Sequence, residues 1–366
     1  MKVVFDHQTF SSQAVGGVPR YYMELLLGLN RLKGMDAEII APLYCNDYLK
    51  ENGFKQGIKV RAIPKVYRFI QPLNQILSKS LIKKSQPDIL HETYYQYNSL
   101  APANCPVVIT ALDILHEKFH ENFRVKDTTT MRKRAAIRRA SHVIAISENT
   151  RNDYIEFFNI HPSKISTIHL GCSFLEEKYQ NLSVAKEGEP YILYVGGRKG
   201  YKNFQNLLIA YFSSSLLRSN FQLICFGGGA FSSEERALIA SLSNGSCKSV
   251  TQLSGNDECL AKAYKSASVF VYPSLYEGFG LPPIEAMALG CPVACSDRSS
   301  IPEVVGDAAL KFNPDSPEDI RSKLELLLTS PHLQEQLVAL GYKRAEMFSW
   351  KSCVEKTADL YQTIAK

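Results

Sequence analysis

Short apolar runs alternate with stretches of helical spacing along the chain, and each change of period predicts a change of element. Lys2–Phe5 reads as a strand ending at Asp6. After a polar loop with Gly16-Gly17, Tyr22, Leu25, Leu26, Leu29 and Leu32 recur at helical spacing over 19–32. Residues 37–43 and 58–63 read as strands, 88–90 and 107–112 as short buried strands, 131–140 as a basic helix and 143–146 as another strand. Ser147, Asn149 and Thr150 are cap-type residues just before Ile155 and Phe157, so a helix starts there. Polar residues break the pattern over 181–190, where a linker is expected.

The same grammar then restarts. Residues 191–195 form a strand, Gly196-Gly197 a loop, and Asn203 caps a helix over 204–212. Residues 221–226 form a strand, Gly227-Gly228-Gly229 a loop, and Ser232 with Glu235 a capping box. A strand over 268–274, a glycine-rich loop, a helix over 282–289 stopped by Gly290, and a strand over 292–296 follow. Strand, loop and helix repeated in this way imply an α/β fold with a doubly wound parallel sheet in each half.

The composition fits two globular domains: 366 residues, 45% apolar and 21% charged. No window is apolar enough to span a membrane, and the first residues lack the longer apolar stretch of a secretory signal. Nine cysteines without a C-x-x-C pair, several in apolar surroundings, point to reduced buried thiols and a cytoplasmic location. Residues 1–185 carry 24 Lys/Arg against 17 Asp/Glu, whereas residues 186–366 carry 18 against 19. The first half therefore faces something anionic: nucleic acid, a membrane or a phosphorylated substrate.

In open parallel sheets, ligands bind at the carboxyl ends of strands. Gly196-Gly197, Gly227-Gly228-Gly229 and Gly278-Phe279-Gly280 each follow a strand and precede a helix. Glycine lets backbone approach a phosphate, and a helix N-terminus presents N–H groups to it. Arg198 and Lys202 beside the first loop would clamp a diphosphate, the Arg as a planar fork and the Lys as a point charge. Glu277 and Glu285 are separated by seven residues, bridging a glycine loop and a helix's first turn, with Pro282 well suited to that turn.

The run SLYEGFGLPPIEAMALGCPV resembles the E-x7-E signature of the retaining glycosyltransferases of family 4, which have the GT-B architecture. Gly16-Gly17, VIAISENT over 143–150, YVGGRKGYKN over 194–203 and Ser349-Trp350 resemble that family's N-terminal glycine loop, Ser-helix element, phosphate loop and the start of its closing helix. HETYY and LDILHEKF give the resemblance a flavour of bacterial O-antigen and capsule mannosyltransferases.

The resemblance implies two Rossmann-like domains facing a central cleft: an acceptor domain over 1–183, a nucleotide-sugar domain over 188–347 and a closing helix over 348–366. By the same implication Arg198 and Lys202 hold the donor diphosphate, and Glu285 the ribose. Glu277 faces the sugar with the N–H groups of Gly278, Phe279, Gly280 and Leu281, and the base sits by Ser254. Gly16, Gly17, Gly197, Gly227 and Gly228 complete the donor site. Asp113 is the expected acceptor-side residue. The His-Asp pair found in many relatives reads Leu112-Asp113 here, and His116, three residues on, is the candidate replacement for the missing His. His91 and Glu92 end another strand and are candidates for the acceptor side.

The implied reaction is transfer of a hexose, with mannose from GDP-mannose the first guess, to a glycan or polyprenyl-diphosphate-linked acceptor in surface polysaccharide synthesis. Breaking the anomeric bond creates an oxocarbenium-like centre and a departing diphosphate that needs fixed positive groups. No D-x-D occurs, so no metal and no cofactor are expected. The alternatives are a nucleotide-sugar epimerase or hydrolase on the same scaffold, or a binding protein that has lost catalysis.

His116-Glu117-Lys118-Phe119-His120 satisfies the H-E-x-x-H zinc-protease pattern. It follows a strand directly, without a long amphipathic helix, so no zinc site is expected. Arg132, Lys133, Arg134, Arg138 and Arg139, with Lys79, Lys83 and Lys84, would make a basic face for peripheral docking on an anionic inner membrane. No nucleic-acid-binding motif is present.

Overall fold

In a computed structural model, the described residues are 1–54, 56–61, 64–122, 127–184, 188–243 and 249–365. The expected strand over 58–63 and the expected linker over 181–190 lie partly outside them. The chain divides into two compact units, Met1–Gly171 with Trp350–Lys366, and Cys172–Ser349.

The first unit holds β1 (Lys2–Phe5), β2 (Asp36–Ile39), β3 (Leu43–Tyr44), β4 (Ile58–Lys59), β5 (Ile89–Glu92), β6 (Val107–Ala111), β7 (His142–Ala145) and β8 (Ile165–Thr167). Six form one parallel sheet in the order β2-β1-β5-β6-β7-β8, with β3 and β4 paired separately. β5 and β6 are buried at every position, as expected of a parallel sheet covered on both faces. The first long helix covers Gly17–Leu29, shorter at its end than the apolar spacing predicts. Asn30 explains the stop: its side chain bonds the N–H and C=O of Ala37, both at 2.8 Å, and turns the chain into β2. The strand expected over 37–43 splits around Pro42, which has no N–H for a ladder.

The second unit holds β9 (Tyr191–Val195), β10 (Gln222–Phe226), β11 (Val250–Leu253), β12 (Val269–Tyr272), β13 (Val293–Ser296) and β14 (Leu310–Phe312). They form a parallel sheet in the order β11-β10-β9-β12-β13-β14. Its core joins Ile192, Tyr194, Leu223, Val269 and Val271 of the sheet to Leu207, Leu208, Tyr211, Ile320 and Leu324 of flanking helices. Both units are thus Rossmann-like, doubly wound α/β domains.

The boundary differs from the expected one. Residues 172–182 belong to the second unit because the Phe174 ring meets Tyr179 and Tyr264 edge-on, and Gln180 donates to the Ala288 carbonyl at 2.9 Å. The last helix, Trp350–Ile364, packs within the first unit: Tyr361 is fully buried, its hydroxyl 2.5 Å from His91 Nδ1. No described helix is long and apolar enough to cross a membrane. Six of the eight described cysteines are buried and all eight are free; burial pushes the Cys225 thiol up to about 12.

Candidate active site

From β9 the chain winds outward through β10 and β11, then returns to lay β12 on the other side of β9. The carboxyl ends of β9 and β12 therefore flank a topological switch point, where diverging loops leave a crevice. The loop after β9 runs through Gly196–Asn203 into the helix Phe204–Ser213; the loop after β12 runs through Pro273–Gly280 into the helix Leu281–Ala288. The Leu275 N–H donates to the Tyr201 carbonyl at 2.8 Å and stitches the two loops together.

Lys202 and Glu277 meet across this point, Nζ to Oε1 at 2.7 Å. The ammonium also lies 3.3 Å from the Tyr272 hydroxyl, with the Tyr201 and Tyr272 rings about it. Burial, then the Glu277 carboxylate, holds that hydroxyl protonated far above the ordinary tyrosine range. The Glu277 backbone is clasped from the segment after β13. Its N–H donates to Ser299 Oγ at 2.9 Å, and Ser300 Oγ donates to the Glu277 and Phe279 carbonyls, both at 2.8 Å. Tyr272, Ser299 and Ser300 were not singled out in the sequence; the polar pair Ser299-Ser300 just past a predicted strand was the available signal.

Gly280 caps the helix Leu281–Ala288 with φ +101°, a conformation that favours glycine. Pro282 and Pro283 carry no N–H, so only Leu281 and Ile284 bring donors to the first four helical positions. The Phe279 side chain is buried against Phe348, which leaves only its backbone for a ligand. Glu285 is half-buried and accepts a hydrogen bond from Tyr264 at 3.1 Å.

Gly227, Gly228 and Gly229 all have positive φ, between 70° and 82°. A Cβ on Gly228 would lie 2.7 Å from the Gly196 carbonyl oxygen, so the glycine loops after β10 and β9 touch backbone to backbone. Gly197 is exposed, and a Cβ there would meet nothing within 4 Å. Ser254 stands exposed just past β11, its hydroxyl taking a bond from Gln252 at 3.2 Å.

Arg198 differs from expectation. Its side chain is 2% exposed. It donates to Glu235 at 3.0 Å and to the carbonyls of Gly227, Gly229 and Ala230 at 3.0, 2.9 and 3.2 Å, with the Phe231 ring 4.7 Å away. It braces the second glycine loop, its guanidinium turned to these carbonyls and to Glu235. Glu235 makes the predicted capping box with Ser232 and so anchors that brace to a helix. Burial pushes the Glu235 carboxyl up, but bonds from Arg198 and the Ser232 N–H outweigh it and leave the carboxyl below its ordinary value. Asn203, expected to cap the next helix, instead lies in the left-handed region and donates to the Pro273 and Pro314 carbonyls at 3.1 and 2.7 Å.

In the first unit, Gly16 has φ +156° and Gly17 opens the helix Gly17–Leu29. Asp113, just past β6, accepts from the Leu115 N–H at 3.0 Å and lies 3.5 Å from Lys133 Nζ. Lys133 is buried: it donates to the Asp113 carbonyl at 2.8 Å and pairs with the wholly buried Glu117 at 2.9 Å. Its burial rules out the place expected for it on a basic face for membrane docking.

His91 and Glu92 are core residues, not acceptor contacts. The His91 ring is wedged between Tyr361 and Thr110, its Nε2 2.9 Å from Thr110 Oγ1, and burial lowers its pKa to about 3. Glu92 is fully buried and bonded to Arg139. His116 Nδ1 lies 2.5 Å from Asp127, while His120 is exposed on a separate turn after the helix Leu115–Lys118 ends. The H-E-x-x-H residues therefore do not share a helix face, and no cluster of three or more metal-ligating side chains occurs among the described residues.

Two family models match: Glycosyltransferase Family 4 over residues 15–173 and Glycosyl transferases group 1 over residues 176–344. Together they take in most of both units, and the chain belongs to the glycosyltransferases of family 4. O-antigen chain mannosyltransferase B of Escherichia coli is 34% identical over 240 residues, 62% of this chain, and the match spans 61% of that protein's length. O-antigen chain mannosyltransferase RfbU of Salmonella typhimurium is 25% identical over 84% of this chain and 86% of its own. Among solved structures, sucrose-phosphate synthase from Thermosynechococcus elongatus superposes with a TM-score of 0.77 at 21% identity, over 99% of this chain and 98% of that one.

Proposed function

We propose that the chain transfers a hexose, mannose from GDP-mannose, with retention of anomeric configuration, to a glycan or polyprenyl-diphosphate-linked acceptor in surface polysaccharide synthesis at the cytoplasmic face of a membrane. The observation that carries this reading is the Lys202–Glu277 pair, set between glycine loops at the switch point of the second sheet. The two mannosyltransferase relatives support the choice of sugar.

As the anomeric C–O bond breaks, negative charge grows on the leaving diphosphate. Lys202 has three N–H donors, of which Glu277 takes one and the Tyr272 hydroxyl a second, so an ammonium aimed by Glu277 keeps one for a phosphate oxygen. The open Gly197 and the loop Gly227–Gly229 let phosphate approach backbone, while Arg198 holds that loop in shape. Glu285 takes the ribose hydroxyls, Ser254 lies toward the base, and Asp113 serves the acceptor side. A new C–O bond forms to the acceptor hydroxyl on the face the diphosphate leaves. The acceptor proton passes to the departing phosphate oxygen, so no enzyme nucleophile and no metal take part.

A thermal-shift screen of nucleotide sugars tests the donor, and product configuration by NMR tests the stereochemistry. Stabilisation by GDP and GDP-mannose, with an α-linked product formed in chelator, is the expected result. Stabilisation by another nucleotide alone, or an inverted product, overturns it.

A further inference from the structure

The helix Pro64–Ser85 carries its polarity inside out. On the side that faces the first unit, Asn74 and Ser78 are fully buried between Ile70 and Ile82. Asn74 accepts from the Leu43 N–H at 2.9 Å and donates to the Leu43 carbonyl and Ser11 Oγ, both at 2.7 Å. That three-way bond fixes which side of the helix points inward. The large apolar residues are thereby turned out: Leu73, Ile76, Leu77 and Leu81 are between 40% and 70% exposed. Their spacing of i, i+3, i+4 and i+8 makes them one ridge. Monomeric proteins rarely leave such a ridge in water without an interaction partner. Exposed Lys79, Lys83 and Lys84 flank it, and the helix contains no Asp or Glu.

We infer that this ridge docks the chain on an anionic phospholipid surface, the four apolar side chains entering the headgroup–acyl boundary while the three lysines meet lipid phosphates. Lysine stems can lie along apolar surface and lift the ammonium to the headgroups. The charge decides between a bilayer and a second copy of the chain. A two-fold interface brings the same patch against itself, and these lysines would then face lysines with no acid on the helix to answer them. The surface differs from the basic helix Thr129–Arg139, where Lys133 is buried and Arg139 is bonded to Glu92.

Co-sedimentation of the full chain with vesicles tests this without nucleotide or turnover, so its failure would leave the sugar-transfer reading untouched. Wild type is expected to sediment with phosphatidylglycerol/phosphatidylcholine vesicles, to ignore pure phosphatidylcholine, and to be released by high salt. I76E/L77E should weaken binding at least tenfold, since both side chains already reach water, Ile76 at 70% exposed and Leu77 at 40%. I76W is the second probe: its emission should shift blue on phosphatidylglycerol vesicles alone. Unchanged binding by I76E/L77E, no blue shift in I76W, or no binding by wild type overturns the inference. So does a wild-type dimer that I76E/L77E dissociates, which would make the ridge a protein interface.

Discussion

Replacing Arg198 by Ala distinguishes a structural brace from a phosphate clamp. The truncation would leave the Glu235 carboxylate, 15% exposed, without its cation, and would remove the donor held by the carbonyls of Gly227, Gly229 and Ala230. Breaking a buried pair costs about 3–5 kcal/mol. The partial exposure of Glu235 argues for the lower end, about 3 kcal/mol. In a domain of this size each kcal/mol moves the midpoint by about 2–4 °C, so the second unit's unfolding should fall by ~6–12 °C. Differential scanning calorimetry near neutral pH reads this directly. R198K should recover little, because an ammonium cannot span Glu235 and three carbonyls as the guanidinium fork does. The sign with pH follows from Glu235. Its folded value lies below the ordinary 4.5, so the stabilisation is complete above that value and is lost as pH falls through the lower one. R198A should therefore show a shallower acid limb. A midpoint within about 2 °C of wild type, together with lost affinity for GDP, would refute the brace and restore Arg198 to the diphosphate.

Three further outcomes are expected. K202M should lower kcat in a mannosyl-transfer assay by about 10²–10³-fold, the range for loss of one group that stabilises developing negative charge, and should disturb folding less than R198A does. G228A should destabilise the second unit by about 1–3 kcal/mol in denaturant unfolding and abolish nucleotide binding in calorimetric titration, because a Cβ there meets the Gly196 oxygen at 2.7 Å and φ is +70°. Acidification should destabilise the first unit through His91. Its folded pKa of about 3 lies below the ordinary 6.5, so stability is full above 6.5 and is lost progressively toward 3. H91Q should flatten that limb in far-UV circular dichroism melts, and an unaltered limb would point to another group.

Much of this molecule is legible in its residue pattern. Glycine-rich loops after apolar runs, the Ser232–Glu235 box and the Glu277–Glu285 spacing act within a few residues of themselves, so the local chain states them directly. The long helix Pro64–Ser85 escaped notice because Pro72 lies inside it, and a proline within a helical pattern reads as a break. The brace made by Arg198 went unread for a different reason. A cation beside a glycine loop suits either a phosphate or a carboxylate, and Glu235, 37 residues on, is the deciding partner.

Local chemistry thus determined the element types, the two parallel sheets and the family. Tertiary packing alone decided which charged residues are available for chemistry. Lys133, His91, Glu92 and Arg198 are polar residues at strand ends or on a helix, and the chain nearby says nothing about what covers them. Their partners, Glu117, Tyr361, Arg139 and Glu235, come from other elements, and a buried polar group is stable only when such a partner arrives. Lys202 and Glu277 are brought together in the same way, 75 residues apart in the chain and 2.7 Å apart in space, because β12 returns to the side of β9.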